Sequence, residues 1–364
     1  MSHERILPAG IAPAPAYART PSAGSAGVWV GRHGPGIVLV AGIAAVAFLV
    51  GRLVPVIGGP VFGIVLGMAA GAVRRPALTL RPGIAFAGKQ VLQWAVVLLG
   101  TGLSLAQIVH TGGASLPVML GTMAACLVGA WGFGRLLGVR GDLRTLIGVG
   151  TGICGASAIA ATSTVLAAGE LDVAYAISTI FLFNVVAVLT YPLIGHLLHF
   201  SQSAFGLWAG TAINDTSSVV AAAYTFGRAA GNAAVIVKLT RTTLIIPVTL
   251  ALAAHRLWRL RGQADRDRAG AVPRPRLYTL VPWFVLWFLA AAVLHTLGAF
   301  TPRQAHALGV VALFLIVMAL TAIGLSADFA QMRRTGARPL VLGALLWATV
   351  GLSSILLQHL TGTL

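Results

Sequence analysis

The sequence predicts an all-α, polytopic membrane protein with about eleven transmembrane helices. Hydrophobic residues make up 57% of the chain and charged residues only 9%, and the mean hydropathy is +0.90. This composition lies far outside the range of water-soluble domains. Apolar stretches of about 20 residues, the length that crosses the hydrocarbon core of a bilayer, recur along the chain after about residue 35.

The apolar stretches predict a single transmembrane domain over residues 35–364. Residues 1–34 are rich in Pro, Gly and Ala and predict a flexible cytoplasmic tail. They do not match a secretory signal, because the first long apolar run begins near Ile37 and continues without a cleavage pattern. Cys126 and Cys154 both lie in apolar runs, so the sequence predicts neither a disulfide framework nor a metal site, and no cofactor.

Individual spans are predicted where apolar runs are bounded by Arg, Pro and Gly. They cover residues 36–52, 55–73, 84–106, 114–137, 145–168, 173–198, 204–227, 231–258, 278–298, 304–327 and 339–361. The candidate site residues fall in the fifth, seventh and eighth of these spans.

The net charge of +17 is explained by membrane orientation rather than by nucleic-acid binding. Of the 25 basic residues, 19 fall on alternate connections between the spans, which we assign to the cytoplasm. The opposite connections hold only Arg52, Arg228 and Arg303, and they carry the acidic pair Glu170 and Asp172. This distribution predicts a bacterial inner-membrane protein with a cytoplasmic N-terminus and a periplasmic C-terminus.

Two sets of internal matches indicate repeats, and the sequence leaves their register open. Residues 102–104, 117 and 121 match residues 324–326, 339 and 343, which predicts an inverted repeat of the kind that transporters use. Residues 150–153 and Ser157 match residues 210–213 and Ser217, but these lie two spans apart and would therefore run parallel. A pairing of 151–153 with 321–323 is a further option, and close helix packing through small residues is the alternative explanation for all of them.

The fifth predicted span has a glycine density that favours unwinding at membrane depth. Its candidate substrate-binding residues are Gly150, Thr151, Gly152, Cys154, Gly155 and Ser157. Backbone N–H groups freed by such a break, together with hydroxyl groups, suit an anion at a helix N-terminus. Close helix packing is the alternative.

The seventh predicted span carries Asp215, the only acid that we place deep in the bilayer, between Asn214 and Thr216-Ser217. A carboxylate there is costly unless it is paired, coordinated or protonated, so Asp215 is the candidate coupling-ion residue for H⁺ or Na⁺. Asn214, Thr216 and Ser217 are candidate substrate ligands. A structural ion pair is the alternative for Asp215.

The eighth predicted span supplies Lys238 and Arg241, which lie three residues apart on one helical face. Two basic side chains against one Asp favour an anionic substrate. Lys238 reaching the outer interface and Arg241 neutralising Asp215 is the alternative. Lys89 is expected to extend toward the cytoplasmic interface, and Asn184 either to bond across helices or to line the site.

The residues therefore predict a secondary transporter for a small anion in contact with membrane lipid, with a passive anion channel as the second hypothesis. An enzyme is not expected, because the sequence lacks HExxH, paired acids and a Ser/His/Asp arrangement. The oligomeric state stays open, and a homodimer is one option.

Three motifs resemble those of the YeiH-like sulfate exporter family: GTGICGASAIAA at 150–161, GTAINDTSSV at 210–219 and KLTR at 238–241. The resemblance covers roughly residues 35–364, and Asn214 stands where that family more often has histidine. It implies membership of the cation/proton antiporter and anion transporter superfamily, with inverted repeats, crossed discontinuous helices and elevator-like movement. It further implies sulfate or an organic sulfonate as the substrate.

Overall fold

The computed structural model describes residues 25–53, 58–139, 141–262, 283–326 and 336–364. Every regular element in these ranges is a helix. The helices are α1 Ser25–Leu53, α2 Gly58–Val73, α3 Arg81–Gly100, α4 Leu105–Leu136, α5 Gly141–Gly152, α6 Ala156–Leu166, α7 Glu170–Leu197, α8 Gln202–Ala212, α9 Thr216–Phe226, α10 Arg228–Thr243, α11 Ile245–Gly262, α12 Trp283–Thr296, α13 Pro302–Leu325 and α14 Ala337–Thr361.

Seven of the described helical stretches are long and apolar enough to cross a membrane. They are α1, α3, α4, α7, α13, α14 and the run Arg228–Leu252 that joins α10 to α11. Within the described ranges each predicted span overlaps a helix or a pair of helices, but the predicted number of eleven transmembrane helices is not confirmed. Helix α1 begins at Ser25, inside the predicted tail, while residues 1–24 lie outside the described ranges.

The predicted span 204–227 does not cross the membrane, because α8 and α9 fold back on each other as a hairpin. The ring of Phe205, near the start of α8, stacks on that of Phe226, at the end of α9, with centroids 3.9 Å apart. The side chain of Gln202 donates to Phe226 O at 3.3 Å and accepts from Ala230 N at 3.0 Å. A straight run from 202 to 226 would separate these ends by about 36 Å.

The predicted span 145–168 is likewise a hairpin, built from α5 and α6. A Cβ added at Gly150 would lie 2.8 Å from Ile159 Cγ1, so the side chain of Ile159 on α6 folds back against α5. Helix α7, of 28 residues, is about 42 Å long. Its last turns contact Phe205 and Phe226 beside Gly195. The start of α7, and with it the end of α6, therefore lies at the opposite face, where α5 begins.

The two hairpins thus enter from opposite faces and meet near the middle of the molecule. We call α5–α6 hairpin 1, with its tip at residues 153–155, and α8–α9 hairpin 2, with its tip at residues 213–215. Their tips touch, since a Cβ added at Gly155 would lie 3.8 Å from Asn214 O. Two expectations are corrected. Residues 150–153 and 210–213 run in opposite directions rather than parallel. Glu170 and Asp172 lie on the same face as Arg144, which is one of the 19 basic residues assigned to the cytoplasm.

Three of the hydrophobic clusters join the hairpins and the helices around them. One hydrophobic cluster joins both hairpins to α4, α7 and α14 through residues such as Ile147, Ile180, Phe205 and Leu346. A second cluster joins α1, α2, α3 and α13. A third cluster packs α7, α9 and α10 against α2, α3, α12 and α13, so the first two sets of helices are in direct contact.

Candidate functional site

The tip of hairpin 1 reverses the chain at Gly155, whose φ of +69° is a conformation that side-chain-bearing residues rarely adopt. Helix α6 begins at the next residue, and Gly155 offers no side-chain cap for its first N–H groups. These N–H groups, at Ala156 and Ser157, carry the partial positive charge of a helix N-terminus. The tip therefore presents donors to a negatively charged partner.

The tip of hairpin 2 is extended, and Asp215 caps the start of α9. Its Oδ2 accepts hydrogen bonds from Ser217 N at 3.0 Å and Ser218 N at 3.2 Å, and also from Ser217 Oγ. Asn184 on α7 supports the same tip, because its Oδ1 accepts from Asn214 N at 3.2 Å and Asp215 N at 3.4 Å. The N-terminus of α9 is thus already paired with a carboxylate.

Lys238 connects the two hairpins from α10. The side chain is completely buried, and Nζ donates to Ile153 O at 3.0 Å and to Ile213 O at 2.8 Å. One acceptor belongs to each tip. Lys238 is therefore a bridge between hairpin 1 and hairpin 2.

Arg241, one helical turn further along α10, makes a second bridge and is also completely buried. Its Nε donates to Gly152 O at 2.9 Å, and one terminal nitrogen donates to Thr211 O. The other terminal nitrogen lies 3.5 Å from Thr151 O, which is a weaker contact.

These contacts place two basic side chains against the C-terminal ends of α5 and α8. The last carbonyl groups of a helix have no intrahelical donor and carry about half a negative charge together. At membrane depth an unpaired carbonyl is costly. Lys238 and Arg241 satisfy these carbonyl groups, and because each bonds to both hairpins, they fix the distance between the tips.

A cavity of about 280 Å³ opens beside the tips, between the hairpins and helices α2, α3, α7, α12 and α13. Its polar lining combines both tips with one face of α3 and one residue of α7: Lys89, Gln93, Ser157, Asn184, Asp215, Thr216, Ser217 and Ser218. The cavity is thus bordered by the N-terminal ends of two half-helices, whereas the C-terminal ends point to Lys238 and Arg241.

Four of the predicted site residues line this cavity: Ser157, Asp215, Thr216 and Ser217. Eight others lie outside its lining, namely Gly150, Thr151, Gly152, Cys154, Gly155, Asn214, Lys238 and Arg241. Cys154 packs with Val149, Ala158 and Ile245. Direct binding of substrate by Lys238 and Arg241 stays a prediction, and the contacts of both residues favour a role in holding the hairpins.

Lys89 was expected at the cytoplasmic interface, and Gln93 was not among the predicted site residues. Both line the cavity, and Gln93 Oε1 is buried without a hydrogen-bond partner among the described residues. The available signal was their spacing of four residues, which places them on one helical face. A π-helical turn at Ala87–Val91 lies at this point of α3, a feature often found at functional sites.

Comparison with known proteins gives relatives over nearly the whole chain. A UPF0324 membrane protein of Fusobacterium nucleatum is 39% identical over 347 residues, covering 90% of this chain and 98% of its own. UPF0324 membrane proteins of Streptococcus agalactiae and Streptococcus pneumoniae are each 40% identical, over 336 and 346 residues. They cover 90% and 92% of this chain, and 98% and 99% of their own chains. No solved structure matches.

The same relationship appears at the level of the family. The family model described as "Conserved hypothetical protein 698" matches residues 35–343, which include both hairpins, α10 and the cavity. The relatives are named membrane proteins, in agreement with the long apolar helices described above. This chain is therefore a multi-pass membrane protein that belongs to the family Conserved hypothetical protein 698.

Proposed function

We propose that this protein is a secondary transporter of a small anion and that the cavity beside the hairpin tips is its substrate site. The observation that carries the proposal is the convergence of two half-helix N-termini on one cavity at the meeting point of the hairpins. Half-helix N-termini aimed at a binding site near the bilayer midplane are how several transporters bind anionic groups. Lys89 adds a positive side chain to the same cavity.

Asp215 is the proposed coupling residue. It lines the cavity and occupies the N-terminus of α9, so its negative charge competes with an anionic substrate for the same donors. A proton or Na⁺ on Asp215 would weaken that competition. This arrangement supports coupling of substrate movement to H⁺ or Na⁺ rather than a passive channel.

An inverted repeat is proposed for the two hairpins, with residues 150–157 corresponding to residues 210–217. The helix bounds support this register, because α6 at Ala156–Leu166 and α9 at Thr216–Phe226 have the same length, 11 residues, and the same offset as the motif. Helices α4 and α7 precede the two hairpins and run in opposite directions. Two units so related would present the site alternately to the two faces.

Elevator-like movement is proposed for the unit that holds both hairpins, which contacts the remaining helices through a hydrophobic cluster of α7, α9 and α10. Lys238 and Arg241 tie both hairpins together, and the cavity lies between this unit and the wall of α2, α3, α12 and α13. Movement of the bridged hairpins along that wall would carry the site across the membrane without separating the tips.

The proposed location is a bacterial inner membrane with the N-terminus in the cytoplasm. Two of the eleven predicted spans are hairpins that return to their own face. The seven long stretches together with the shorter α2 and α12 are the nine proposed crossings, and an odd number retains the predicted N-in, C-out orientation. The resemblance to YeiH-like sulfate exporters agrees with an anionic substrate, and an exporter of sulfate or a sulfonate is part of the proposal.

The proposal is tested by flux into proteoliposomes of sulfate and small sulfonates, with and without imposed proton and sodium gradients. Lys89→Gln removes the positive side chain of the cavity and should lower uptake at least ten-fold. Arg81→Gln removes an equivalent charge from the exposed start of the same helix and serves as the matched control. Equal uptake by the two variants, or flux indifferent to both gradients, would contradict the binding site or the coupling, respectively.

A further inference from the structure

Hydrophobic side chains form most of the cavity wall away from the hairpin tips. They come from α2, α3, α7, α12 and α13 and comprise Ile64, Leu92, Val96, Ile177, Ile180, Phe181, Val185, Phe284 and Ile323. The polar groups come from the two tips, from Lys89 and Gln93, and from Asn184. On α7 the polarity changes within two turns, because Asn184 is preceded by Phe181, Ile180 and Ile177 on the cavity side.

The size of the cavity exceeds what a bare inorganic oxyanion needs. A cavity of about 280 Å³ far exceeds the roughly 10–15 Å³ that a cavity needs to hold one water molecule. A sulfate ion has five heavy atoms and carries charge on every side. Burying part of that surface against hydrocarbon would remove water without supplying donors, which is costly for an ion.

We propose, on the basis of the function proposed above, that the substrate is an organic monoanion with a short apolar body. Its sulfonate or carboxylate group binds at the hairpin tips, where α6 presents free N–H groups beside Ser157. Its hydrocarbon part packs against Phe181, Phe284 and Ile323. Inorganic sulfate lacks the second part and binds less tightly.

A chain-length series on the purified wild-type protein tests this assignment. Binding of sulfate, methanesulfonate, ethanesulfonate, propanesulfonate and butanesulfonate is measured by calorimetry. Sulfonates are used because they stay ionised at every working pH. Each added methylene should raise the affinity about four-fold, the equivalent of about 0.8 kcal/mol per buried CH₂ group. Sulfate bound as tightly as butanesulfonate, or affinities independent of chain length, would overturn the assignment while leaving anion transport intact. Absence of binding and of flux for all five would refute the export of sulfate or a sulfonate that the proposed function includes.

A pair of variants locates the apolar body. Ile177→Thr places a hydroxyl group in the cavity wall at a residue that is 38% exposed, so the fold should tolerate it. The ratio of butanesulfonate to methanesulfonate affinity should fall several-fold, while methanesulfonate affinity stays within two-fold. Leu193→Thr makes a comparable change on α7 at an exposed position outside the cavity lining and should leave the ratio unchanged. An unchanged ratio in Ile177→Thr would overturn the proposed contact.

Discussion

Replacement of Lys238 by methionine separates a role in holding the hairpins from a role in binding substrate. Methionine has a similar length and no donor, so Ile153 O and Ile213 O both lose the bonds of 3.0 and 2.8 Å that they accept from Lys238 Nζ. A buried carbonyl left unpaired costs about 1–3 kcal/mol. Two such groups predict a loss of about 2–6 kcal/mol in the free energy of unfolding for Lys238→Met.

The assay compares this variant with Lys89→Met, which removes the same chemical group from an exposed position in the cavity lining. Thermal unfolding of the detergent-purified proteins is followed with and without a bound sulfonate. Lys238→Met should have a markedly lower midpoint, whereas Lys89→Met should keep the midpoint and lose the shift that the sulfonate induces. The reasoning is refuted if Lys238→Met unfolds at the wild-type midpoint and loses only the shift, because Lys238 would then be a substrate ligand.

Two further predictions concern the hairpins and the coupling. Cysteines introduced at Gly141 and Gly169, which flank hairpin 1, should react with an impermeant thiol reagent from the same side of the membrane, and one at Ser201 from the opposite side. If the cysteines at residues 141 and 169 reacted from different sides, residues 145–168 would cross the membrane as first predicted, and the hairpin would be contradicted. Asp215→Asn should retain the helix cap, since asparagine also caps helices well, but its flux should lose dependence on proton and sodium gradients. If the flux of Asp215→Asn depended on the gradients as strongly as that of the wild type, Asp215 would not be the coupling residue.

The sequence was sufficient to locate the apolar segments and the break in the fifth predicted span. Glycines at 150, 152 and 155 and the polar run from Asn214 to Ser218 are unusual within apolar sequence, and each coincides with the end of one helix and the start of the next. Apolar length alone does not define direction, because two antiparallel helices of 11 residues contain as many apolar residues as one span. The hairpins were therefore predicted as crossings.

Only part of the candidate site was predicted, because the sequence does not show which groups lie close together in the fold. Burying Lys238 and Arg241 requires partners, and the sequence offered an anionic substrate and Asp215 as the visible ones. The partners in the structure are main-chain carbonyl groups at two helix ends. Because every residue has a main-chain carbonyl group, the sequence does not indicate which of them accept these hydrogen bonds. Lys89 was assigned to the interface because it is far from both hairpin tips in the sequence. Its position in the cavity beside the tips is visible only in the structure.

The bridges made by Lys238 also bear on how the chain is assembled during synthesis. Ile153 and Lys238 are separated by 85 positions, so the carbonyl groups at the tip of hairpin 1 are made long before their donor emerges from the ribosome. Until α10 is inserted, hairpin 1 must keep its tip in contact with water or with the translocon. The native arrangement of both hairpins can therefore form only after α10 arrives, and a nascent chain that ends before Arg228 should remain sensitive to membrane proteases.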